Sequence, residues 1–293
     1  MALWASDSGI VTTDTDMTTF YWTDLNNQPK GRSILTGYDY KVPVPTNVDW
    51  SRIVAVVVDE PYQALRGRTA PCPTNSQEAQ DTLDAIRAKD RALADAAAEL
   101  KAVAPLTRFW VNLEHGNLAW MQACKLADPD HPIINHSYVD VISFDVYLQP
   151  FSALWSDYQW LIDNHAKDDQ QLALIPGTFY YPESAADEPG AVSTQAGLLK
   201  KYFDYADYQN QSCDLPWGSR GRTGSFDGCR VWIVMGWLAG NFFGDGHLHV
   251  GEQGPPEIAS FWNAKRALPL RPDLAHQVTR GQLVPTILSV MED

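Results

Sequence analysis

The sequence predicts a single α/β domain over residues 1–293, with parallel strands closed into a (β/α)8 TIM-like barrel and an irregular or incomplete barrel as the alternative. Three observations lead there. Ile53-Val54-Ala55-Val56-Val57-Val58 is an unbroken apolar run, the pattern of a strand covered on both faces in a helix-clad parallel sheet. From that run onward, strand and helix signals alternate with spacings long enough for parallel crossovers. No Gly-rich dinucleotide fingerprint or Walker loop is present, which favours a barrel over an open nucleotide-binding sheet.

The elements follow in order. Ala2 to Asp7 reads as a first strand and Ser33 to Gly37 as a second, with a weak amphipathic segment from Thr18 to Leu25 between them. A Pro-punctuated loop from Val42 to Asp49 leads to the central strand, which Pro61 ends, because proline lacks an N–H and disfavours helix before it. A helix opens near Asn75 or Ser76, with Glu78 placed for a capping box. Its positions Ala79, Leu83, Ile86, Leu93, Ala97 and Leu100 fall on one stripe, while Asp81, Lys89, Asp95 and Lys101 face water. Further strands are expected at Arg108–Leu113, Val139–Tyr147, Leu172–Phe179 and Arg230–Trp237, with helices near Ala153–Ala166 and Thr194–Tyr208. Val284 to Val290 is the candidate for an eighth strand.

A formal net charge of −14 argues against nucleic acid or anionic lipid as a partner, since phosphate binding is carried by clustered Lys and Arg. No apolar run approaches the roughly 20 residues of a membrane helix or carries the flanks of a signal peptide, so membrane insertion is not expected. Eleven Trp and twelve Tyr are a high aromatic load, suited to sugar faces as well as to a core. The four cysteines have no metal-ligand spacing. Cys213 and Cys229 bracket a loop-like stretch that a disulfide would stiffen, which points to a secreted or periplasmic protein; buried free thiols in a cytosolic chain are the competing reading.

Three consecutive strands end in carboxylates: Asp59 and Glu60, then Glu114, then Asp145. Strand ends at one face of a barrel converge, and converging acids are what glycosidic cleavage requires. One protonated carboxyl donates to the leaving oxygen, while an ionised one attacks or activates water; repulsion between them separates their pKa values. Glu60 is the expected general acid and Glu114 the base or nucleophile, with Asp59 and Asp145 as orienting partners. Neighbours in a strand face opposite ways, so Asp59 and Glu60 share the cleft only if the backbone turns at once, as Pro61 allows. An acid after a strand also serves as a helix N-cap or ion-pair partner. Tyr38, Asp39, His115, Trp120, Tyr147, Tyr180, Trp237 and Phe242 lie near strand exits and are expected to line a sugar site, with core packing as the alternative for each ring. His247 and His249, with His115, imitate a metal site without the usual three-ligand set, and no cofactor is implied.

Val58-Asp59-Glu60-Pro61 resembles the strand-end Asn-Glu-Pro of retaining barrel glycosidases, whose Glu is the acid/base, and Ser143-Phe144-Asp145-Val146-Tyr147 is similar to a later strand end of that group. The resemblance spans about residues 50–240 and implies a sugar site lined by Asp145 and Tyr147. Asp59 stands where that family has Asn, and Ile233-Val234-Met235-Gly236-Trp237 lacks its late nucleophilic Glu. The Asp-Glu pair also resembles that of substrate-assisted hexosaminidases and of barrel hydrolases of amino-sugar polymers, in which a further Glu from the next strand takes part, here Glu114. The expectation is a glycoside hydrolase acting on a poly- or oligosaccharide. The alternatives are a non-catalytic carbohydrate-binding barrel and a metal-dependent hydrolase.

Overall fold

The structure, a computed structural model, describes residues 2–3, 18–28, 33–130, 133–134, 137–145, 151–164, 170–176, 179–180, 201–202, 204–206, 208–210, 230–236 and 248–249. Ten strands are assigned among them: β1 (Ala2–Leu3), β2 (Thr18–Tyr21), β3 (Ser33–Thr36), β4 (Ile53–Asp59), β5 (Arg108–Glu114), β6 (Val141–Asp145), β7 (Gln171–Leu174), β8 (Phe179–Tyr180), β9 (Val231–Gly236) and β10 (Leu248–His249). The described α-helices include α1 (Gln77–Val103), α2 (His115–Ala127) and α3 (Phe151–Asn164), and residues 201–202, 204–206 and 208–209 are also helical.

Eight strands form one sheet in the order β1-β9-β7-β6-β5-β4-β3-β2, every pairing parallel. The expected closed (β/α)8 barrel is not what forms. The sheet is open and curled, and its edge strands β1 and β2 share no ladder among the described residues. The helical repeat also fails on one side. β2 is followed by a 3-10 turn, Trp22–Asn27, and residues 37–52 between β3 and β4 hold only a second one, Trp50–Arg52. Pro43, Pro45 and the absence of a helical stripe explain why no α-helix builds there.

The segment Thr18 to Leu25, read as weakly amphipathic, supplies β2 through Thr18-Thr19-Phe20-Tyr21, a β-branched and aromatic run that pairs with β3. Val284 to Val290, the expected eighth strand, lies outside the described residues. The strand expected through Phe179 stops at Leu174, and Phe179–Tyr180 pairs instead with Leu248–His249 in a separate antiparallel ribbon. Residues 194–200 of the expected late helix lie outside the described residues.

The longest helix forms as its pattern dictates. Ser76 is the N-cap, its Oγ accepting the Ala79 N–H at 3.1 Å. The capping box does not form, because Glu78 falls one position too early and accepts from the Thr69 hydroxyl at 2.9 Å. The six apolar stripe positions are all buried. Asp90 continues that stripe between Ile86 and Leu93, and it accepts from the hydroxyls of Tyr138 at 2.6 Å and Tyr62 at 3.4 Å. Between helices and sheet, Phe144 stacks on Tyr158 of α3 with ring centres 4.3 Å apart. No helix among the described residues is long and apolar enough to cross a membrane.

A disulfide joins Cys72, in the loop after β4, to Cys124 of α2. The pairing expected from sequence, Cys213 with Cys229, lies outside the described residues. The bond closes a separation of 52 residues, which in the chain-entropy treatment stabilises the fold by about 4 kcal/mol. It also ties the loop that carries Gln63 and Arg66 to the helix that begins where β5 ends.

Candidate active site

Parallel pairing places every strand exit of the sheet at one end, and register decides which residues meet there. Asp59 is opposite Asn112, and Glu114 is opposite Asp145. The carboxylates of β4, β5 and β6 therefore stand on three adjacent strands, whose spacing in such a sheet is about 4.8 Å.

Asp59 is fixed from the inner face of the sheet. The Trp110 indole N–H donates to the Ser143 hydroxyl at 2.7 Å, that hydroxyl donates to Asn112 Oδ1 at 2.7 Å, and Asn112 Nδ2 donates to Asp59 Oδ1 at 2.9 Å. Each member of this chain is held by the one before it, so Asp59 has a defined rotamer at the end of a buried relay. Asp59 keeps contact with solvent while protein atoms crowd it on most sides. That crowding pushes its carboxyl up to about 6, against the Asn112 hydrogen bond and helped by the Glu60 charge.

Glu60 follows at φ 38°, a left-handed backbone that a residue with a Cβ rarely adopts. Its N–H donates to the Asn112 carbonyl at 2.9 Å, which pins the turn to β5. The turn answers the alternation problem: strand geometry would send Glu60 to the face opposite Asp59, and the positive φ breaks that geometry. Strain of this kind costs on the order of 1–3 kcal/mol and concentrates at functional sites. Burial, then the charges of Asp145 and Glu114, push the Glu60 carboxyl up to about 7; Arg66 and a 2.7 Å hydrogen bond from Gln63 Nε2 pull the other way.

Glu114 occupies the N-cap position of α2, yet its side chain makes no capping bond. Its Oε1 pairs instead with Arg66 Nε at 2.7 Å. Arg66 also acts on Glu60, and its own side chain is 62% exposed. One guanidinium thus holds one of the acids and bears electrostatically on another.

The structure brings together Asp59, Glu60, Glu114 and Asp145 and places other expected residues elsewhere. Tyr38 is core: it is buried, and its ring meets Trp22 at 4.8 Å and Phe109 at 6.2 Å, both edge-on. Burial pushes its hydroxyl up to about 12. Asp39 folds back on its own loop to accept the Lys41 N–H at 3.0 Å. His115 Nε2 lies 2.8 Å from Asp157 of α3 and its ring stacks on Phe144, so it ties two helices together. Trp120 packs half-buried against the core. Tyr147, Trp237, Phe242 and His247 lie outside the described residues; Tyr180 and His249 belong to the β8–β10 ribbon.

Sequence reasoning missed Arg66, Gln63, Asn112 and Ser143. Asn112 and Ser143 left a signal, each being a polar residue inside an apolar strand two positions before the acid that closes it, Glu114 and Asp145. Arg66 and Gln63 left none, since a loop residue reaches a site only through the path of the loop. No group of three or more His, Cys, Asp or Glu that could hold a metal ion occurs among the described residues. Compared with known proteins, the chain matches no family model, no curated protein and no solved structure.

Proposed function

We propose that the protein is a glycoside hydrolase that cleaves a poly- or oligosaccharide with carboxyl groups at the carboxyl end of an open parallel sheet. The observation that carries this reading is the division of labour between Glu60 and Glu114. Glu60 is pushed up to about 7 and holds a proton near neutrality, while Glu114, beside it, is paired with Arg66. A proton-bearing carboxyl beside an ion-paired carboxylate is the arrangement that splits a glycosidic bond.

Glu60 donates its proton to the leaving oxygen. Glu114 acts on the anomeric carbon directly or through a water. Asp59, held by Asn112, orients the sugar substituent nearest the scissile bond; a 2-acetamido group suits a carboxyl that has both proton and lone pair to offer near pH 6. The disulfide supports export to a secreted or periplasmic setting, since such bonds persist in oxidising compartments.

Wild type and Glu60→Gln assayed on a glycan panel, by reducing-end release and by binding, test the reading. Turnover lost in the variant with binding retained supports hydrolysis. Binding without turnover in both proteins identifies a carbohydrate-binding protein, and turnover abolished by a chelator identifies a metal-dependent hydrolase; either result overturns the proposal.

A further inference from the structure

Asp90 is a carboxylate that the acid cleft does not touch. From the buried stripe of α1 its Oδ1 accepts from the Tyr138 hydroxyl at 2.6 Å and, in a longer bond of 3.4 Å, from the Tyr62 hydroxyl. Burial pushes both hydroxyls well up and the Asp90 charge adds to it, so both stay protonated and remain donors at neutral pH. The Tyr138 ring meets Phe109 of β5 edge-on, with centres 6.2 Å apart. Tyr62 leads to the acid instead.

Tyr62 stands two residues after Glu60, and Pro61 between them has a φ fixed by its ring. The Gln63 N–H donates to the Glu60 carbonyl at 2.9 Å and the Leu65 N–H to the Tyr62 carbonyl at 2.8 Å, so Glu60 to Leu65 make two successive closed turns. Gln63 and Ala64 point to solvent, while Tyr62 and Leu65 are buried. A leucine is held by contact alone, whereas the Tyr62 hydroxyl has a directional acceptor on a 27-residue helix. The φ of 38° at Glu60 persists only where the surroundings over-determine it.

We propose that Asp90 and Tyr62 are positioning residues for Glu60: the α1 carboxylate fixes the Tyr62 hydroxyl, and Tyr62, through Pro61, holds the left-handed turn that presents the Glu60 carboxyl. The proposal rests on the reading of Glu60 as the acid. Asp90 does not act by charge, since the charges that bear on Glu60 are those of Asp145, Glu114 and Arg66, and Glu60 in turn bears on Asp59. Loss of the anchor therefore reaches Glu60 through geometry. A released turn lets the carboxyl swing into water, and as its burial weakens its pKa falls from about 7 toward the ordinary carboxylate range.

Carbon-13 titration of the Glu60 carboxyl in the full chain, its signal assigned with Glu60→Gln, reads the turn without a substrate. In Tyr62→Phe, which loses a single oxygen, the midpoint should fall below about 7, and kcat on a glycan should drop about 10–10²-fold with KM little changed. Asp90→Ala should match it, and Asp90→Asn, which keeps the acceptor oxygen, should restore the wild-type midpoint. Tyr138→Phe removes the shorter bond to Asp90 from a residue far from Glu60 along the chain, so it should lower the thermal midpoint and leave the Glu60 titration in place. A Glu60 midpoint that stays put in Tyr62→Phe, or that moves as far in Tyr138→Phe, overturns the inference. Should the wild type turn over no glycan, the hydrolase reading fails, while the titration still decides whether Asp90 and Tyr62 hold the turn.

Discussion

At the carboxyl end of the sheet, Asp59, Glu60, Glu114 and Asp145 stand at the exits of three neighbouring strands, and Arg66 pairs with Glu114 and acts on Glu60. At the amino end, Lys101 pairs with Asp140 at 2.7 Å. The two ends belong to the same strands and differ in how their charges are matched. At the carboxyl end, burial first and neighbouring acids second push Asp59 and Glu60 up to about 6 and about 7. Asp140 is paired with an ammonium and also accepts a backbone N–H, the arrangement of a group that holds structure. Crowded, partly buried acids hold protons at one end, and an ion-paired acid fixes backbone at the other.

The sharpest way to break this comparison is Glu60→Gln. Removing the proposed general acid should lower turnover by about 10²–10⁴-fold with the fold intact, since a neutral amide also relieves repulsion from Asp145 and Glu114. Steady-state rates and circular dichroism check both halves. Cys72→Ser should cost about 2–4 kcal/mol in denaturant unfolding and lower turnover as well, because the loop that presents Arg66 to Glu114 loses its tie to α2. Asp140→Ala should cost about 1–3 kcal/mol by removing the acceptor of the Phe109 N–H and the partner of Lys101, while turnover per folded molecule stays unchanged.

Smaller effects come from titration. Asp59 and Glu60 bind protons more tightly folded than unfolded, so between the ordinary carboxylate range and their raised values the native state carries more protons. Their contribution to stability is therefore greatest at acid pH and declines as pH rises through about 6 and about 7. Unfolding free energies across that window should show the decline, and Glu60→Gln should flatten its upper part. Arg66→Gln removes a charge that lowers Glu60, so the alkaline limb of the rate profile should move to higher pH. A limb that stays in place would show that Arg66 does not act on the acid.

Where the sequence was legible, one rule of local chemistry sufficed. β4, α1 and β5 were readable because an unbroken apolar run, a capped stripe and a second apolar run each name their own element. That Glu60 and Glu114 stand at strand exits was readable because each closes such a run. The edges were not. Thr18–Tyr21 is too short to show a period, and its strand character depends on the partner β3 supplies. Tyr38 was placed at a sugar site because it follows a strand, yet its ring finds room between Trp22 and Phe109. His115 was placed there too, and Asp157, on α3, claims it.

The sequence by itself determined that acids would close successive buried strands, since alternation and Pro61 are properties of neighbours along the chain. Only the tertiary structure decided which acids act on one another, that the sheet stays open between β1 and β2, and that Arg66 and Cys72 meet partners on β5 and α2. The reason is physical. Hydrophobic periodicity is set within a few residues, whereas pairing of charges and closure of a sheet depend on distances between segments that packing alone brings together.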